Sequence, residues 1–277
     1  MKKILLASAL VLAVSAGQSH AFSITYGGQV PTDGSGLTSS IGVDADNNPL
    51  PGYAIETFDD PTNLSGYYAN VKLEGGGFQQ VYVPAGAGFN SLIPSQDIII
   101  HQGSFAIQKN STTGVAAAPA NDSTFFAFAP EPGGTLPVNI EIDYTQFLAD
   151  YGVRISYLGL YYGSIDTYNN LQFYSGDSLI QGTGFLSDGI LTGSEILQLS
   201  PGTPSGSWTA PGSNVYVNLF FDANDPVFTS FRFTTTGVAF EADNMVAGFT
   251  PVPEPATMLL FGAGLAGLAG FRRKRNK

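Results

Sequence analysis

The chain has 277 residues, with 22 acids against 11 bases, a formal charge of −11, 34 Gly, 17 Pro and no Cys. Without Cys there is no disulfide framework and no thiol chemistry. The acid surplus repels nucleic acid, which needs a positive footprint, and the frequent Gly and Pro exclude long helices over most of the length.

Met1-Lys2-Lys3, then ILLASALVLAVSAG, then Gln18-Ser19-His20-Ala21 form a basic start, an apolar run and a small-x-small site. This order predicts a signal peptide over residues 1–21, cut between Ala21 and Phe22 after export through the Sec machinery. Seven of the 11 bases lie in the two ends, and only Glu254 of the acids does. Residues 22–250 therefore hold 21 acids against four bases, a formal charge of −17.

Residues 22–250 read as one β ectodomain. Alternating apolar runs recur at 81–83, 97–108, 138–143, 153–163, 170–175, 214–221 and 228–235, separated by Gly, Pro, Asn, Asp and Ser clusters. Many short strands with regular turns predict an all-β, jelly-roll-like antiparallel β-sandwich. In 215–221 the odd positions are apolar and should enter the core. Arg232, between Phe231 and Phe233, should face outward. Residues 155–162 are apolar on both faces, which indicates a strand covered on both sides or an aromatic surface. One short helix is expected at 145–152, ended by Gly152. Residues 44–49 and 222–226 read as turns, and 112–122 and 200–213 as long surface loops.

The residues for common catalysis are scarce. His101 is the only histidine left after signal removal, so neither a Ser-His-Asp triad nor a zinc site is expected. Glycoside hydrolysis needs only carboxylates. Glu141-Ile142-Asp143-Tyr144-Thr145-Gln146 resembles the E-I-D-x-x-E signature of jelly-roll β-glucanases, but Gln146 stands where the second catalytic glutamate belongs. Tyr161, Tyr162 and Trp208 are either sheet packing or stacking platforms for sugar rings.

Val252-Pro253-Glu254-Pro255 is followed by the uncharged run 256–271 and by Arg272, Arg273, Lys274 and Arg275. At 1.5 Å per residue the run spans about 24 Å as a helix, against roughly 30 Å of hydrocarbon core. Thinning of the bilayer and snorkelling of the flanking bases let it insert. The basic cluster then stays cytoplasmic and halts export.

This tripartite ending, at residues 251–277, resembles the PEP-CTERM sorting signal. The resemblance implies a single transmembrane sorting helix that anchors the chain transiently in the inner membrane. It also implies processing by exosortase near Pro253-Glu254-Pro255 and delivery to the cell surface or extracellular matrix of exopolysaccharide-making cells. Residues 160–169, Leu-Tyr-Tyr-Gly-Ser-Ile-Asp-Thr-Tyr-Asn, are similar to the L-Y-W-G-S-x-D-x-Y-N stretch of one family of exosortase-dependent surface proteins, with Tyr162 where Trp is common. Gly163-Ser164-Ile165-Asp166 within it reads as a tight turn. Residues 56–60 and 240–244 resemble the paired terminal segments of jelly-roll carbohydrate-binding modules. By that resemblance Glu56, Asp59, Asp243 and Asn244 would hold a structural calcium; otherwise they are solvated strand-end acids.

The expected function is that of a non-enzymatic surface or matrix protein, structural or glycan-binding, with extracellular polysaccharide as partner and no nucleic acid. The alternative is a carbohydrate-active enzyme, a glycoside hydrolase or lyase, using two carboxylates about 5–10 Å apart in a groove.

Overall fold

The computed structural model describes residues 22–59 and 105–252 with their side chains, and 67–72, 78–83 and 99–102 by backbone alone. The predicted signal peptide lies outside the described residues. So do Pro253, Glu254, Pro255, the apolar run and the basic cluster Arg272–Arg275.

Among the described residues, fifteen strands and two short α-helices follow in order: β1 (Ser23–Tyr26), β2 (Tyr53–Glu56), β3 (Tyr67–Lys72), β4 (Phe78–Val83), β5 (Ile99–Gln102), β6 (Ala106–Lys109), β7 (Phe125–Ala129), β8 (Val138–Asp143), α1 (Thr145–Tyr151), β9 (Val153–Gly163), β10 (Asn169–Ser175), β11 (Ser178–Leu179), β12 (Ile190–Thr192), α2 (Gly193–Gln198), β13 (Val215–Phe220), β14 (Ser230–Thr235) and β15 (Phe240–Pro251). A nine-stranded sheet runs β1-β13-β9-β15-β7-β6-β3-β4, with β2 also against β15. A six-stranded sheet runs β11-β10-β14-β8-β5, with β12 also beside β10. Pairing is antiparallel apart from β3 with β6. This is the all-β sandwich expected.

Alternation decides which side chains lie between the sheets. Val217, Leu219 and Phe221 from the β13 run enter the main core with Phe231 and Phe233 from β14. Arg232 points the other way, paired to Glu141 at 2.8 Å and 4.8 Å from the Tyr174 ring centre. Phe228 stacks on Phe221 at 4.6 Å between ring centres, and Phe22, the predicted new N-terminus, stacks on Phe221 at 5.1 Å. Gly152 closes α1 in the left-handed region (φ 59°), its N–H donating to the Leu148 carbonyl.

Three expectations need correction. The run 97–108 is two strands: β5 joins the six-stranded sheet and β6 the nine-stranded one. The segment 112–122 is more than a surface loop, because Ala116 and Ala117 are buried against the sheet. Residues 200–213 stay largely at the surface, but Ser213 is buried.

The strand β9 is covered on both sides, and the covering differs between them. One face meets the six-stranded sheet. The other is roofed by two straps of irregular chain, 27–50 and 110–124. Val43 packs there with Ile55, Tyr157 and Val246, and Ala116 with Ala106, Phe126 and Phe128. The molecule thus has a third layer without regular structure.

Candidate functional site

One end of this layered sandwich holds a pocket of about 290 Å³. Four segments meet there: the strap at 112–117, the β9–β10 turn, the loop at 205–208, and 238–241 at the start of β15. The motif 160–169 and the motif 240–244, remote in sequence, both contribute. They are brought together because β9 and β15 are paired neighbours, with Glu241 opposite Gly163.

The turn after β9 is held tightly. Ser164 lies at φ 31°, a strained value for a residue with a Cβ. Its N–H donates to Asn214 Oδ1 at 3.0 Å and its hydroxyl to Glu241 Oε2 at 2.7 Å. Such outliers persist where surrounding contacts fix them, often at functional sites. Gly163-Ser164-Ile165-Asp166 is a turn as expected, but Asp166 Oδ1 accepts from the Ser205 hydroxyl at 3.0 Å, tying the turn to the 205–208 loop. Gly206 makes that approach possible: it sits at φ 68°, and a Cβ there would lie 2.6 Å from Asp166 Oδ1. Gly193 is equally constrained, since its Cβ would collide with the Asp166 carbonyl oxygen. Gly193→Ala should therefore displace the turn and cost about 1–3 kcal/mol of stability, measured as a fall in urea midpoint; an unchanged midpoint would show that the turn is not held from below.

Glu241 closes the inner wall. It is 1% exposed, and Oε1 accepts from the Ala117 N–H at 3.0 Å. Burial pushes its pKa well up, against the opposing pull of the Ala117 and Ser164 bonds. Burial also raises Asp166, opposed by the bond from the Ser205 hydroxyl. Glu241 is thus biased toward the neutral acid, a form that can donate as well as accept hydrogen bonds. The Tyr168 hydroxyl donates to the Val238 carbonyl at 2.7 Å, and Trp208 stands 43% exposed at the rim.

Of the aromatic residues named as glycan contacts, only Trp208 faces this pocket. Tyr161 and Tyr162 are 1% and 0% exposed. Tyr162 stacks on Phe240 at 4.5 Å between the sheets, and the Tyr161 hydroxyl donates to the Ala120 carbonyl at 2.6 Å under the strap. They are packing residues, because β9 is covered on both faces. Asp166, Tyr168, Ser205 and Glu241 were not assigned to a site from the sequence. The signals present were the 160–169 motif and the aromatic rim residue, not their proximity.

The segments expected to share a calcium are adjacent: β2 pairs with β15, Glu56 opposite Met245. Their side chains diverge. Glu56 Oε1 accepts from the Phe58 N–H at 2.7 Å. Asp59 Oδ1 accepts from the Phe125 N–H at 3.0 Å. A bulge between Asp243 and Val246 places Asn244 at φ 46°, and its amide is spent on Ser35, Leu37 and Asn47. Asp243 is buried beneath the 110–124 strap beside Asp122, a residue the sequence did not single out. Among the described residues, no three His, Cys, Asp or Glu side chains converge closely enough to hold a metal between them. Glu141, in the β-glucanase-like stretch, is bound by Arg232 and Ser230.

A two-sheet all-β module with a polar, aromatic-rimmed pocket is the class this geometry defines. A family model described as the PEP-CTERM protein-sorting motif matches residues 251–274. The motif marks the chain as a PEP-CTERM, exosortase-sorted protein, exported and processed for the cell surface. Comparison with curated proteins and with solved structures gave no match. No helix among the described residues is long and apolar enough to cross a membrane; the run predicted to do so, 256–271, lies outside them.

Proposed function

We propose that the mature chain is a non-catalytic surface or matrix protein that binds extracellular polysaccharide, in exopolysaccharide or biofilm, through the pocket at 164–168, 205–208 and 238–241. The observation that carries this reading is the pairing of an exposed Trp208 with a wall of hydroxyl, carbonyl and carboxyl groups. A sugar ring offers an apolar C–H face for the indole and hydroxyls for the polar wall. Trp208→Ala should weaken binding to a responsive glycan about tenfold or more, a loss of roughly 1.4 kcal/mol, read by glycan array and then titration calorimetry. Unchanged binding in that variant would sink the reading.

A second reading has a specific observation behind it: two carboxyls of raised pKa, Asp166 and Glu241, line one pocket. A glycosidase needs an acid held protonated near neutral pH. Release of reducing ends from polysaccharide, lost in Asp166→Asn, would favour the enzyme over the binding module.

Sorting is tested separately. Glu254→Ala should leave unprocessed full-length chain in the membrane fraction. Normal processing in that variant would remove the assignment of Glu254 to exosortase recognition.

A further inference from the structure

Two carboxyls lie against one another under the 110–124 strap, and among the described residues no cationic side chain is bonded to them. Asp243, on β15, is 0% exposed, and neither carboxyl oxygen accepts a hydrogen bond from an N–H or hydroxyl among the described residues. The Asn244 backbone N–H and the Asp122 carboxyl both act on it. Asp122, on the strap, spends Oδ1 on the Thr124 N–H at 2.8 Å and hydroxyl at 2.7 Å. Its Oδ2 is buried, with no donor among the described residues other than the Asp243 carboxyl it faces.

The surroundings add negative charge. Asp59 acts on both carboxyls and Asp33 on Asp59. The neighbouring Tyr161 and Tyr216 hydroxyls donate elsewhere, to the Ala120 and Asn244 carbonyls. Among the described residues, Arg154 is tied to the Asp222 carbonyl and Arg232 to Glu141. Lys109 is exposed and acts on Asp59. A buried, unpaired carboxylate costs several kcal/mol. A proton shared between the two removes one charge; a divalent cation removes both.

We propose that Asp122 and Asp243 hold one Ca2+ between the strap and the nine-stranded sheet. The donors are all oxygen, which suits a hard cation. Two carboxylates supply part of a calcium shell, and backbone carbonyls and water complete it. Calcium tolerates such irregular shells, whereas magnesium demands near-octahedral geometry. This ligand set differs from the terminal-segment set, because Glu56 and Asn244 are engaged elsewhere and Asp122 comes from the middle of the chain. The two ligands meet only in the folded chain, so binding stabilises the fold. The inference stands independently of what the pocket binds.

The test is thermal melting of the mature chain, stripped with EGTA and then titrated with CaCl2 or MgCl2, with calorimetry to count sites. Calcium should raise Tm saturably by roughly 5–10 °C at a hundredfold excess over Kd, with one ion bound per chain and little response to magnesium. In Asp243→Asn the calcium response should vanish while the metal-free chain stays folded, because the substitution removes one of the two buried carboxyls and supplies an amide N–H that can donate to Asp122. Asp122→Asn gives the same readout if the first variant does not fold. Wild type without a calcium response, or a response equal in wild type and both variants, overturns the proposal; the first result leaves the pair neutralised by protons, and the second places the ion elsewhere.

Discussion

Replacing Asn244 by Ala destabilises the chain by about 3–4 kcal/mol. Its amide nitrogen donates to the Ser35 carbonyl at 3.0 Å, the Ser35 hydroxyl at 2.8 Å and the Leu37 carbonyl at 2.9 Å. Its Oδ1 accepts from Asn47 Nδ2 at 2.8 Å. Asn47 in turn accepts from Thr38 at 2.6 Å and donates to Asp33 at 3.0 Å. One bulged side chain thus binds the 27–50 strap to the sheet. Alanine leaves buried carbonyls and an amide without partners, each worth about 1–3 kcal/mol, and holds φ 46° less readily than Asn does. Asn244→Asp should be as damaging, since aspartate cannot donate and brings a further buried charge beside Asp243. The measurement is urea unfolding, with a lowered midpoint and an unchanged slope. A loss below about 1 kcal/mol would show that the strap is anchored by its apolar contacts alone.

The second large effect is a pH dependence set by Glu241. Its folded-state pKa is raised well above the ordinary 4.5 by burial. The sign follows from proton counting. Below pH 4.5 both folded and unfolded chains carry the proton, and Glu241 imposes no penalty. Above it the unfolded chain releases the proton while the folded chain keeps it. Stability then falls by about 1.4 kcal/mol per pH unit until the folded-state pKa is passed. Glu241→Gln should abolish this contribution and keep both contacts, with Oε1 accepting from Ala117 and the amide donating to Ser164. The two proteins should melt together near pH 4, and the Gln variant should melt higher at pH 7–8. The difference between them isolates this residue, because other titrating groups are common to both. Parallel melting curves across that range would mean that Glu241 is ionised in the fold.

The reading of residues 215–221 and 231–233 held because strand alternation is local. Each side chain's face follows from its own position and its neighbours. The helix α1 and its Gly152 end were readable for the same reason. The helix α2 was missed although its signal was present: Thr192 and Glu195 form a reciprocal capping box, with Thr192 N–H to Glu195 Oε2 at 2.8 Å. The short apolar stretch after it gave too little periodicity to draw attention. The run 97–108 misled because two strands of different sheets share one apolar pattern. Trp208 is legible in the sequence as a candidate stacking aromatic, whereas Asp122 and Asp166 look like any other turn acid.

The sequence by itself determined the β class, the C-terminal sorting motif, and an acid surplus in residues 22–250 far larger than the whole-chain charge indicates. All three depend on composition and on order along the chain, which folding does not alter. Only the tertiary structure decided that Tyr161 and Tyr162 are packed away, that Glu241 and Asp166 line one pocket, and that Asp122 meets Asp243. These are contacts between segments distant in sequence, fixed by the pairing of β9 with β15 and by the straps that cross the sheet. No local pattern records them, because the energy that selects them is the burial and hydrogen bonding of the whole layer.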